Sequence, residues 1–122
     1  MAGHVLFVED QEDLRELIAD ALADMGYLVT VAANGREALE RLAGPVQFSH
    51  VVTDVSMPEG VTGLDVAAEA ARRQPHARVV LASGFQRAQL PPIPEGIAFL
   101  PKPYRMKQLI AALEAGAGPA PD

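Results

Sequence analysis

Short, nearly continuous apolar runs alternate along this chain with segments whose apolar residues recur at helical spacing, and this alternation restricts the fold most. The first run, His4-Val-Leu-Phe-Val8, suits a strand covered on both faces. Leu14, Leu17, Ile18, Ala21, Leu22 and Met25 then predict an amphipathic helix over 11–25, stopped near Gly26. Residues 27–31 read as a second strand. Asn34 is placed to cap a helix, and Glu37 three residues on completes a capping-box pattern. That helix exposes Arg36, Glu40 and Arg41, buries Ala38, Leu39 and Leu42, and ends before Gly44-Pro45. Residues 48–53 give a third strand despite the polar Ser49 and His50, with Asp54 at its end. Residues 64–73 form a helix whose small-residue face is Val66, Ala67, Ala70 and Ala71, with Gly63 just before it. Residues 77–82 and 97–100 are the fourth and fifth strands, and 105–113 the final helix. Strands and helices in alternation with short joints imply βαβ units, and hence an α/β fold on a parallel sheet.

A length of 122 residues fits one domain, since smaller pieces would not bury a useful core. With aromatics at 5%, that core must be built from Val, Leu, Ile and Ala with a few Phe. The absence of cysteine excludes disulfides and thiolate metal sites. No run reaches the roughly 18–20 apolar residues of a membrane helix, and no basic segment precedes a hydrophobic one at the N-terminus. The expectation is a cytoplasmic protein without membrane insertion. A formal charge of -6 with scattered Lys and Arg argues against direct nucleic-acid binding.

One stretch departs from the repeat. Between the fourth and fifth strands, Pro91, Pro92 and Pro94 remove backbone donors and restrict their neighbours, leaving room for at most a turn of helix around 86–90. The expectation is a short, irregular crossover. The folded domain is expected over 1–115, and the GAGPAPD tail of 116–122 reads as a frayed end or linker. His50 and His76 lack partners at ligand spacing and read as strand-edge or loop histidines, while His4 lies at the end of the first strand away from the acidic residues.

In a parallel sheet the C-terminal strand ends share one rim, where open α/β sheets bind their ligands. The reading above brings Glu9 and Asp10, Asp54, Ser83 and Lys102 to that rim from four separate strands. Glu12, Asp13 and Glu16 suit a solvated helix start favoured by the local dipole, but Glu9 and Asp10 directly follow an apolar strand and need another explanation. Three gathered carboxylates repel one another unless a cation compensates them, and Mg²⁺, a hard ion that takes oxygen ligands, answers that need. Lys102 adds a point charge and Ser83 a hydroxyl donor. Together they suit an incoming phosphoryl group, whose transfer requires stabilisation of charge on its oxygens.

Glu9-Asp10, Thr53-Asp54-Val55-Ser56-Met57-Pro58, Leu81-Ala82-Ser83-Gly84 and Phe99-Leu100-Pro101-Lys102-Pro103, in that order, resemble the receiver domains of two-component response regulators. The resemblance runs from His4 to about Leu113 and implies a flavodoxin-like (βα)5, doubly wound sheet of order 2-1-3-4-5 with a shortened, irregular fourth helix. It implies that Asp54 accepts a phosphoryl group from the phosphohistidine of a histidine kinase or histidine phosphotransfer protein. Asp10 and Asp54 are implied as Mg²⁺ ligands, with Glu9 contributing directly or through water and the Ser56 carbonyl as a backbone ligand. Lys102 is implied to contact the phosphoryl group, before a bond to Pro103 that the family often holds in cis. Ser83 matches the switching hydroxyl, and Phe99 the aromatic that changes rotamer with it; a plain core role for Phe99 stands beside that one.

Two departures accompany the resemblance. Pro58 to Gly63 holds one residue more than the commonest spacing, which Gly60 is expected to absorb at positive φ. The abbreviated stretch after Ser83 puts the usual dimer mode and output surface in doubt. It resembles receivers at the C-termini of hybrid sensor kinases as well as free-standing ones, so an excised domain and a complete small protein that docks on a downstream target both fit; Met1 favours the second. Besides the phosphoacceptor, a constitutive interaction module with vestigial phosphorylation and a small hydrolase using Asp54 as a transient nucleophile are the competing readings. The phosphoacceptor performs chemistry on itself, gaining and losing its phosphoryl group with Mg²⁺, rather than turning over a substrate.

Overall fold

Each apolar run becomes a strand and each periodic segment a helix in the computed structural model, which describes residues 3–56, 60–85, 89–93 and 96–115. In chain order the elements are β1 (His4–Val8), α1 (Glu12–Asp24), β2 (Leu28–Ala32), α2 (Gly35–Ala43), β3 (His50–Asp54), α3 (Gly63–Arg73), β4 (Arg78–Ser83), β5 (Ile97–Pro101) and α4 (Met106–Glu114). The strands pair in parallel in the order β2-β1-β3-β4-β5, as expected of a doubly wound sheet. The chain leaves β1 toward one edge and returns to its other side, so a crevice opens between the C-terminal ends of β1 and β3.

Strand alternation divides the core in two. Leu6, Val8, Val51, Val79 and Leu81 face Ala38 and Leu42 of α2 and Val66, Ala67 and Ala70 of α3. Val5, Phe7, Val52, Val80, Ala82 and Leu100 face Ile18 and Leu22 of α1 and Leu109 and Leu113 of α4. Each fully buried Val or Leu contributes roughly 1.5–3 kcal/mol relative to exposure, so these central strands hold the frame.

Helix ends follow the capping signals with one variation. The Asn34 side chain accepts the Glu37 N–H at 2.9 Å, but the Glu37 carboxylate reaches back to the N–H of Ala33, one residue earlier than a closed capping box. Thr62 and Asp65 do close such a box on α3. Gly63 therefore lies inside the helix as its first residue, and Ala71 is exposed, since a further 100° of rotation carries it off the face of Val66, Ala67 and Ala70. β3 begins two residues later than expected, after Phe48, and β2 is shifted by one; Gly60 has φ +79° as expected.

The crossover from β4 to β5 carries no α-helix among its described residues, and most of the helical turn expected around 86–90 lies outside them. Leu90 and Ile93 instead pack against the α2/α3 side of the core. The 116–122 tail also lies outside the described residues.

His50 differs from expectation, for it opens an interior strand and is buried. Its Nε2 lies 3.0 Å from the Leu113 carbonyl at the end of α4, and its Nδ1 2.7 Å from Ser49 Oγ. Arg78 donates to the neighbouring Ala112 carbonyl at 2.9 Å, so two strands fasten the last turn of α4. Burial pushes the His50 imidazole below its ordinary value of 6.5; the Leu113 carbonyl opposes this and the Arg78 charge adds to it. An unfolded chain then binds a proton near that ordinary value that the folded chain resists, so the contribution of His50 to stability is full above it and lost as pH falls. Denaturant titrations should show His50→Gln losing less stability than the parent between about pH 7.5 and 5; parallel losses would refute this.

Candidate functional site

The C-terminal rim of the sheet carries every polar residue picked out from the sequence. Glu9 follows β1, Asp54 ends β3, Ser83 ends β4 and Lys102 follows β5. Ladder bonds continue past the strands and set their positions: Glu9 N–H donates to the Ala32 carbonyl at 3.0 Å, Val55 N–H to Ala82 at 2.9 Å, and Lys102 N–H to Ser83 at 2.8 Å. Gly63 presses on the same corner. A β-carbon there would lie 1.9 Å from the Asp54 carbonyl oxygen, so only glycine lets α3 approach the end of β3 so closely.

Glu9, Asp10 and Asp54 each offer a carboxylate oxygen, all within 4.8 Å of one another. Glu9 and Asp54 are buried, and Asp10 faces solvent. The Lys102 ammonium donates to Asp54 Oδ2 at 2.8 Å and lies 3.7 Å from Glu9 Oε1. Lys102 joins Pro103 through a cis peptide. Gln11, Leu14, Asp54, Ser56, Ser83, Gly84, Phe85, Lys102 and Pro103 line a cleft of about 600 Å³.

Burial pushes the Asp54 carboxyl above the ordinary carboxylate range; the hydrogen bond and charge of Lys102 pull it back only in part, and the Asp10 charge adds to the rise. Burial likewise raises Glu9, against the Gln11 N–H that its Oε2 accepts at 3.2 Å, while the Asp54 charge adds to the rise. For Lys102, burial acts downward, but the Asp54 hydrogen bond and the charges of Asp54, Glu9 and Asp10 outweigh it and hold the ammonium above its usual value. One ammonium against three carboxylates leaves a negative excess. Opposite oxygens of a Mg²⁺ octahedron stand about 4.2 Å apart, so this hard-oxygen donor set fits such an ion after a small inward adjustment or with a bridging water.

Ser83 is buried, and its hydroxyl accepts the Phe85 N–H at 2.9 Å. Phe99 is half-buried and pairs with Leu81, while Ser83 pairs with Pro101, so Phe99 and Ser83 are diagonal neighbours on one sheet face. Ser56 lines the cleft; Met57, Pro58 and Glu59 lie outside the described residues.

Three participants escaped the sequence reading. Gln11 lines the cleft and holds the Glu9 carboxylate, Arg15 donates to the Glu9 carbonyl at 3.0 Å, and Tyr104 stands close enough that burial first, then the charges of Glu9 and Asp54, push its hydroxyl well above its ordinary value. The position of Gln11, directly after the acidic pair, was a usable signal. No spacing in the sequence marks the other two, because their reach depends on how α1 and α4 lie against the sheet.

Residues 5–114 match the response regulator receiver domain family. The response regulator receiver protein CpdR of Brucella abortus is 34% identical over 113 residues, covering 90% of this chain and 92% of CpdR. The sensor kinase CckA of the same organism is 37% identical over 116 residues, again 90% of this chain but only 12% of the kinase. Among solved structures, the response regulator protein TrrA of Thermotoga maritima in complex with Mg(2+)-BeF has a TM-score of 0.76 at 28% identity, covering 91% of this chain and 96% of TrrA.

The raised values of Glu9 and Asp54 carry a testable sign. Between the unfolded and folded pKa values the native state holds the extra proton, so stability is full below the unfolded values and lost as pH rises through the folded ones. In thermal melts without divalent ions, Asp54→Asn should be more stable than the parent at pH 8, by on the order of 1 kcal/mol, with the gap closing toward pH 4.5. MgCl₂ should stabilise the parent more at pH 8 than at pH 5.5, because protons compete for the same oxygens. A gap that widens toward acid would overturn the charge assignment.

Proposed function

The chain belongs to the response regulator receiver family of two-component signalling, and on that premise we propose that Asp54 is its phosphoacceptor. The protein is a phosphoaccepting signalling domain that uses Mg²⁺, takes its phosphoryl group from a histidine-kinase system, and acts on itself rather than on a turned-over substrate. The observation that carries the assignment of Asp54 is its place in the cluster: within 4.8 Å of the carboxylates of Glu9 and Asp10, and 2.8 Å from Lys102.

Asp10, Asp54, the Ser56 carbonyl and Glu9, directly or through water, would hold the ion, which when bound sets positive charge against the phosphoryl oxygens. In the transfer, an Asp54 oxygen forms a bond to phosphorus as the bond from phosphorus to the donor imidazole breaks, and the imidazole nitrogen keeps the electron pair. Lys102 already stands at the attacking carboxylate, with two further N–H donors for the phosphoryl oxygens. The Ser83 oxygen accepts from Phe85, which leaves its own proton to donate to a phosphoryl oxygen. Phe99, diagonal to Ser83, turns with it. Loss of the group proceeds by hydrolysis or by return to a histidine.

Residues 1–115 form the receiver unit and 116–122 its tail. The partner is a histidine kinase or a histidine phosphotransfer protein, consistent with the match to one segment of sensor kinase CckA, and its chemistry favours a cytoplasmic location. No helix among the described residues is long and apolar enough to cross a membrane.

Incubation with acetyl phosphate and Mg²⁺ followed by intact mass measurement should add one phosphoryl group to the parent and none to Asp54→Asn. Lys102→Ala should slow the reaction by at least about 100-fold, the scale of a lost charge-stabilising donor. No adduct at any Mg²⁺ concentration, with no transfer from histidine kinases, would leave a constitutive interaction module. For Phe99, NMR of the parent with Mg²⁺ and beryllofluoride should show a changed side-chain rotamer; an unchanged one would return Phe99 to a plain core role.

A further inference from the structure

Glu9 and Asp10 are adjacent residues, yet a carboxylate oxygen of each lies within 4.8 Å of the other and of Asp54. Successive side chains of an extended strand leave in opposite directions, so the peptide between the two must be turned out of strand geometry and held there. That peptide includes the Glu9 carbonyl, to which Arg15 Nη1 donates at 3.0 Å from the first turns of α1. The Glu9 N–H is bonded to Ala32 on β2, so the main chain is fastened on both sides of Glu9.

The choice of acceptor matters. Glu12, Asp13 and Glu16 are close to Arg15 in sequence and exposed, yet among the described residues Arg15 pairs with no carboxylate. Arg15, a partly buried residue with a rigid planar guanidinium fork, instead holds one neutral carbonyl.

We propose that Arg15 is a positioning residue for the cation: through the Glu9 carbonyl it sets the Glu9–Asp10 peptide so that both carboxylates face Asp54. This rests on reading the acidic cluster as the Mg²⁺ site. Charge and position predict opposite signs. Removing a cation beside an acidic site tightens Mg²⁺ by Coulomb attraction alone, whereas releasing the peptide weakens it.

The test is an NMR titration of the full chain with MgCl₂, following backbone amides around Asp10 and Asp54, for the parent, Arg15→Met, Arg15→Gln and Arg15→Lys. Met has no N–H to donate and Gln is shorter than the arginine fork, and each should raise the Mg²⁺ Kd roughly 3- to 10-fold. Phosphorylation by acetyl phosphate should slow by a similar factor at low Mg²⁺ and recover at saturation. Lys keeps a charge and a donor and should stay within about twofold of the parent, a rescue that general destabilisation would not produce. An unchanged or lower Kd in folded Arg15→Met or Arg15→Gln would overturn the proposal, as would a rate defect that saturating Mg²⁺ does not repair. If Arg15→Met fails to fold, Arg15→Gln decides by the same criterion. A parent chain that binds no Mg²⁺ would remove the reading of the acidic cluster itself, a failure distinguishable from that of Arg15 alone.

Discussion

Three carboxylates within 4.8 Å of one another, facing a single ammonium, repel, and the surrounding structure does the work of holding them together. The parallel ladder does most of it. Strands β1, β3 and β5 end on one rim because they run the same way, and bonds such as Lys102 N–H to the Ser83 carbonyl carry that register beyond the strands. Gly63 admits α3 to the main chain of Asp54. The negative excess that remains is what a divalent ion and the oxygens of a phosphoryl group can satisfy together, so the strain of the resting site and its chemistry have one origin.

The two faces of the sheet are covered by different elements. α1 and α4 close one side, and the last turn of α4 is fastened to β3 and β4 through His50 and Arg78. The other side relies on α2, α3 and the crossover residues Leu90 and Ile93. Ser83 and Phe99 point to this second side, where Phe99 is only half-buried. The pair assigned to the switch therefore lies on the face that the crossover residues help to cover.

Most of the frame was legible in the residues because local rules act at short range. Apolar runs marked the strands to within two residues, Asn34 and Glu37 marked a helix start, and Gly60 took the positive φ its extra residue required. Glu9, Asp10, Asp54, Ser83 and Lys102 were legible as a site because parallel topology leaves strand ends no other common place. Ala71, Gly63 and His50 were read less well. Each depends on contacts with a second element: rotation of α3 against the sheet, its approach to β3, and the arrival of α4 at the start of β3.

The chain by itself thus determined a parallel α/β sheet and which residues would stand at its rim, since periodicity and the alternation of elements are properties of the local sequence. The doubly wound strand order was implied by the family resemblance of its motifs. Tertiary structure alone decided how those residues meet. The placement of Lys102 between Asp54 and Glu9, the balance by which burial outweighs that ammonium and raises both carboxyls, and the reach of Arg15 to the Glu9 carbonyl all depend on distances between elements remote in the chain or angled across a turn. Electrostatic energy varies with those distances and with the water excluded around them, and neither is encoded in any one segment.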